Sequence, residues 1–252
     1  PWIARLFVKG VRPVDSDRAA RTVLAKALHD HQANTDVFEA IAHLTYRDDP
    51  FGSTGATLDD FSVFCHRAAV EKSGAALFSW GSWLDAATAE AALRTFNTFS
   101  NPQIAVIGAW KHEMTRHGSP FQKPNAPPDP LLKQQWNALS HFFEQTLTQD
   151  QPIQGKTLYY YTLGEEAWHQ TGTFPLPHTD FQTWYFQANQ GLSREMPSDP
   201  EGADAYTVDF KATTGKTNRW HTQMAKPLIY PNRAGADQRL LTYTSAPLEH
   251  DL

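Results

Sequence analysis

Asp85 and His112 each stand just past the end of a short apolar run, and together they have the parts for proton-transfer chemistry. The stretch from Ala76 to Met114 reads ALFSWGSWLDAATAEAALRTFNTFSNPQIAVIGAWKHEM. A histidine so placed takes a proton from a nucleophile and hands it to a leaving group. An aspartate on its other nitrogen fixes the tautomer and stabilises the imidazolium. The bland reading of the same residues is an Asp that caps the helix in AATAEAALRTF and a His in an ordinary loop.

The elements around the pair decide whether they meet. AALFSW and IAVIGAW are continuous apolar runs, the second rich in β-branched residues, and each reads as a buried strand. AATAEAALRTF between them has strong helix propensity. Strand, helix, strand predicts a right-handed βαβ unit with parallel strands. Open α/β sheets carry their sites at the carboxyl ends of strands, where both residues fall. An Asp and then a His at successive strand ends is the order of the last two members of the α/β-hydrolase triad.

The third member, a serine in a Gly-x-Ser-x-Gly elbow, has no match in the 252 residues. GSTGA at Gly52 is the nearest look-alike, but Ser53 follows a glycine directly and lies in a loop among helices. Ser82 shares the turn of Asp85 and cannot face the far side of the imidazole. The remaining histidines, His29, His31, His66, His117, His141, His169, His178, His221 and His250, are scattered. None makes a ligand set, so no metal and no cofactor is expected. Cys65, the single cysteine, reads as a small buried hydrophobe.

The rest of the chain supplies context. DSDRAARTVLAKALHDHQANTDVFEAIAHL spaces Ala19, Val23, Leu24, Ala27 and Leu28 as a helix, with Asp15, Ser16 or Asp17 at its start. A second helix, TDVFEAI, is capped by Thr35 or Asp36, and a third starts near Asp59 or Asp60 and ends at Gly74. PFQKPNAPPDP leads into an amphipathic helix with Leu131, Leu132, Trp136, Leu139, Phe142, Phe143 and Leu147. After Gly155, KTLYYYTLG, TDFQTWYFQ, DAYTVDF, KPLIYPN and RLLTYTS are short aromatic or β-branched runs, which predicts an antiparallel sandwich or barrel. A pair of parallel strands cannot bury its own faces, so further sequence is expected at both ends.

Net charge is −5, which gives no electrostatic case for nucleic acid or an anionic membrane surface. No apolar run reaches the length of a membrane span. Eight Trp, eight Tyr, fifteen Phe and seventeen Pro suit ordered loops and apolar pockets rather than disorder.

GSWLDAATAEAALRTF followed by VIGAWKH resembles the G-W-x-D … G-x-W-x-H region of the CocE/NonD serine hydrolases. These include cocaine esterase, α-amino-acid ester hydrolases and X-Pro dipeptidyl-peptidases. YYYTLGEEAWHQTGTFPLP is similar to the motif that opens the family's carboxy-terminal jelly roll; Gly164 and Trp168 match, and Phe174 replaces a second Trp. GSWLD carries one residue more than the family's GWYD, and GAWKH stands for the commoner GPWSH. The resemblance implies a partial α/β-hydrolase fold, α/β plus β. Residues 1–74 would be a helical cap, 75–150 the carboxy-terminal part of the hydrolase domain, and 151–252 the start of an incomplete β-sandwich. Asp85 and His112 would be catalytic, and Trp83 and Trp110, which flank them, would contribute to the substrate pocket. The family's serine lies upstream of the cap, before Pro1. The implied substrate is a small acyl ester, amide or peptide. A homo-oligomer is compatible with this reading, and the chain is expected to be soluble, cytoplasmic or exported. The alternatives are a carbohydrate-binding module using Trp168, Trp184, Tyr159 and Tyr161, and a non-catalytic scaffold.

Overall fold

The computed structural model describes residues 17–148, 153–199, 201–213 and 228–249. Asp15, Ser16, His221 and His250 lie outside them, as does the start of KPLIYPN. The chain divides into two compact units, Pro1–Ala68 and Ala69–Leu252.

The first unit is helical. Helix α1 spans Asp17–Asp30 and α2 spans Val37–Ala42. Asp36 caps α2 by accepting from the amides of Phe38 and Glu39. The third helix starts later than its sequence suggests. Asp59–Phe61 and Val63–His66 are 3₁₀ turns, and α3 begins only at Arg67 and runs to Ser73. Ser62, with extended backbone, interrupts the run and its hydroxyl caps the amide of Phe64. Gly74, at φ +64°, ends the helix as expected. Cys65 is exposed, not buried, because the 3₁₀ turn that carries it packs no buried residue.

The second unit is built on a four-stranded sheet. Strands β1 (Leu77–Ser82), β2 (Gln103–Gly108), β3 (Lys156–Thr162) and β4 (Ala167–Thr171) lie in that order. β1 pairs in parallel with β2, β2 in parallel with β3, and β3 and β4 form an antiparallel hairpin. The segment after Gly155 thus opens with an antiparallel hairpin whose second strand, Ala167–Thr171, is not among the runs read from the sequence, and whose first strand also extends the parallel sheet. Helix α4 (Thr88–Thr98) crosses from β1 to β2. Its Ala89, Ala92 and Phe96 pack on Ala105, Ile107 and Leu158 of the sheet to form the core. Burying Phe96 alone contributes about 2–3 kcal/mol.

The other sheet face carries Phe78, Trp80, Ile104, Val106, Tyr159 and Trp168 under helix α5, Leu132–Leu147, with a cavity of about 410 Å³ between them. Phe142 of α5 is buried there, whereas Trp136, Phe143 and Leu147 are exposed. A second, two-stranded sheet pairs β5 (Tyr185–Gln187) with β6 (Gly191–Ser193). DAYTVDF and the described part of KPLIYPN form no strand, and RLLTYTS makes a single bridge, Thr244 to Gly191. A short α6 spans Ala234–Asp237. Short strands need a paired neighbour to persist; among the described residues DAYTVDF finds none and RLLTYTS only that one bridge. No described helix is long and apolar enough to cross a membrane.

Two glycines let the layers close. A Cβ on Gly81 would stand 2.6 Å from the carbonyl oxygen of Thr88, at the start of α4. A Cβ on Gly108 would fall within the ring of Trp110, which folds back over the strand end. Gly108→Ala is therefore expected to destabilise the chain by about 2 kcal/mol or more. Gly172→Ala, whose Cβ would make only ordinary contact, should change stability by less than about 1 kcal/mol. Denaturant unfolding of the two variants checks the contrast.

Candidate active site

Strands β1 and β2 run in register from Leu77↔Gln103 to Ser82↔Gly108, so their exit turns open at the same sheet edge. Asp85 lies on the first turn and His112 on the second. Nδ1 of His112 stands 3.1 and 3.0 Å from the two carboxylate oxygens of Asp85. The Asp85 side chain is 8% exposed and that of His112 55%. Asp85 therefore meets His112 from below, and Nε2 on the opposite side of the ring has no hydrogen-bond partner among the described residues. The capping alternative for Asp85 fails: Ala87 occupies the N-cap of α4 and no side chain caps it. The turn is closed instead by Thr88, whose hydroxyl donates to the carbonyl of Asp85 at 2.8 Å.

Ser82 joins the two turns. Its hydroxyl, 1% exposed, donates to the carbonyl of Trp110 at 2.6 Å and accepts from the amide of Leu84 at 3.2 Å. One side chain thus bonds to the residue before Asp85 and to the second residue before His112. With its proton given to a backbone carbonyl, Ser82 is a brace and not a nucleophile. Ser53 is exposed in a turn of the first unit.

His112 rides on a tight hairpin. The amide of Gly118 donates to Ala109 at 2.7 Å, Lys111 to Arg116 at 3.1 Å, and Met114 to Lys111 at 2.8 Å. Trp110 and His117 form a bridge across its base. Gln135 of α5 supports the tip, donating from Nε2 to the carbonyl of Met114 at 3.2 Å. Both turns hold a non-glycine residue at positive φ, Ala86 at 46° and Met114 at 55°, a strain found most often at functional sites. Lys111 is fully buried; that burial holds its amine below the usual lysine range, Glu113 opposing and Arg116 reinforcing the shift.

The two flanking tryptophans are held from below. Trp110, 2% exposed, stacks on Trp80 at 5.2 Å. Half-buried Trp83 donates its indole N–H to the carbonyl of Tyr161 at 2.7 Å. Of the aromatic residues of the carbohydrate reading, Tyr159, Tyr161 and Trp168 share one sheet face and Trp184 lies outside that sheet. Tyr161 is 3% exposed, the indole of Trp168 bonds to Asp129, and Arg194 lies over the ring of Trp184. Among the described residues no group of three or more His, Cys, Asp or Glu is placed to hold a metal ion. Sequence reasoning missed the roles of Ser82 and Gln135. Their bonds span 28 and 21 residues, and no local pattern encodes such distances.

Two curated relatives match the chain, one from Mycobacterium bovis and one from Mycobacterium tuberculosis, and each bears the name "Putative serine esterase". Each is 31% identical over 275 aligned residues that cover 100% of this chain and 43% of the relative. The chain spans less than half the length of the curated relatives it matches. No protein-family model and no solved structure matches it.

Ser82→Ala is expected to lower stability by about 1–3 kcal/mol, because it strands a buried carbonyl and an amide; denaturant unfolding reads the loss. His117 is expected to shape the acid limit of the fold. Its Nδ1 accepts from the amide of Ser119. Burial pushes its imidazole below 6.5, against the pull of Glu166 and Asp129. The unfolded chain therefore binds more protons than the folded chain between that depressed value and about 6.5. Stability rises with pH across this window and is lost as pH falls through it. His117→Gln should flatten the stability curve below about pH 6.5.

Proposed function

We propose that the chain is the Asp–His part of a serine hydrolase that cleaves an ester, amide or peptide bond through an acyl-enzyme. The observation that carries this reading is the buried Asp85 carboxylate on Nδ1 of His112, with Nε2 left toward solvent. Distant similarity to proteins named as serine esterases and the parallel sheet that holds the pair support it. The finer assignment is to the acyl esterase and dipeptidyl-peptidase type of the CocE/NonD hydrolases, with residues 151–252 opening a jelly roll. It rests on the motifs around Asp85, His112, Gly164 and Trp168.

In this mechanism Nε2 of His112 removes the proton from the serine hydroxyl as the oxygen attacks the carbonyl. The imidazolium so formed is stabilised by Asp85 and gives its proton to the leaving group. A water then repeats the sequence and frees the acid. The serine is supplied by a segment outside these 252 residues, since no elbow occurs within them. Trp83, half-buried, retains surface with which to meet an acyl group; Trp110, 2% exposed and stacked on Trp80, packs beneath its own turn.

Removing the serine from a triad lowers kcat by about six orders of magnitude. The 252-residue chain is therefore expected to hydrolyse a nitrophenyl ester no faster than the uncatalysed blank. Turnover by this chain that His112→Ala abolishes would show that a nucleophile lies within it.

A further inference from the structure

Glu166 lies far from Asp85 and His112 in sequence, yet four donors converge on its carboxylate. Oε1 accepts from the hydroxyl of Ser119 at 2.9 Å and the amide of Gly164 at 3.1 Å. Oε2 accepts from the side chain of Gln122 at 2.9 Å and the hydroxyl of Tyr161 at 3.3 Å. Two of the donors come from the β3–β4 hairpin. The other two, Ser119 and Gln122, belong to the arm that leaves the His112 turn. Ser119 follows directly on Gly118, whose amide closes that turn on Ala109.

Glu166 also sits at φ +56°, where a glycine or asparagine would be less strained, by about 1 kcal/mol. A glutamate there accepts backbone strain and in exchange places a charge under the arm. Charge-assisted hydrogen bonds are about twice as strong as neutral ones. The carboxylate keeps its charge: burial opposes ionisation, but bonds from Gln122, Gly164 and Ser119 and the nearby His117 outweigh it and hold the group below the usual range. Tyr161, pushed up to about 12 mainly by burial and further by Glu166, stays protonated as a donor.

We infer that Glu166 is a positioning residue, which ties the returning arm of the His112 turn to the β3–β4 hairpin and so fixes the direction of the imidazole. This rests on the hydrolase reading for its purpose, though not for its geometry. The test uses the 252-residue chain and two observables. One is hydrogen exchange at the amides of Lys111 and Gly118, which close the turn, with Ala91 in α4 as reference. The other is the set of His112 ring ¹⁵N signals, which report its tautomer.

In Glu166→Ala, exchange at Lys111 and Gly118 is expected to quicken about tenfold or more while Ala91 holds. The His112 signals should move toward a mixture of tautomers. Glu166→Gln, which keeps one acceptor oxygen, should fall between. The pair Ser119→Ala with Gln122→Ala leaves Glu166 in place and should loosen the same two amides; it decides the matter if Glu166→Ala does not fold. Exchange at Lys111 and Gly118 within about twofold of the parent, an equal rise at Ala91, or unmoved His112 signals would each overturn the inference. A parent chain whose His112 carries no proton on Nδ1 would instead count against the Asp85–His112 reading, and the exchange data would still judge Glu166.

Discussion

The parallel pairing of β1 with β2 is the constraint on which the rest depends. Strands that keep register from Leu77↔Gln103 to Ser82↔Gly108 must release their chains at one edge, a strand spacing apart. An acid on the first turn and an imidazole on the second then need only short turns to meet. The helix between them supplies both the crossover and the core that holds the register, through Ala89, Ala92 and Phe96. Gly81 and Gly108 are small because a helix start and an indole ring already occupy their Cβ positions.

Burial divides the labour within the pair. A carboxylate with 8% exposure is costly to desolvate unless it is hydrogen-bonded. Nδ1 of His112 meets that need, and the same contact turns Nε2 away from Asp85. The histidine, more than half exposed, relies on its surroundings for orientation. Ser82 holds the base of its turn, Gln135 the tip and Glu166 the returning arm. All three bonds come from different elements, so the fold around the turn adds to the backbone bonds that close it.

The placement of Asp85 and His112 at two strand ends and the βαβ unit itself were legible because they are local. Two apolar runs and an Ala-rich helix place Asp85 and His112 without any knowledge of the rest. The choice between a capping and a paired Asp85 was not legible, since it turns on where a side chain points after folding. The parallel partnership of β3 with β2 was hidden for a related reason. The run TLYYYT looks the same whether it joins an existing sheet or founds a new one. The braces from Ser82, Gln135 and Glu166 join residues 28, 21 and 47 positions apart, with nothing periodic to mark them. The runs at 204–210 and 239–245 have strand composition, yet among the described residues the first pairs with no strand and the second makes one bridge, which composition alone does not foresee.

The central claim is that Asp85 and His112 act as one catalytic unit. A double-mutant cycle for ester hydrolysis tests it most directly, in a longer polypeptide that joins this chain to the serine-bearing segment proposed above. Asp85→Asn and His112→Ala should each lower kcat by about 10⁴-fold or more, and the double variant should lose no more than the worse single one. Losses that multiply, or a single variant that keeps parental kcat, would contradict it.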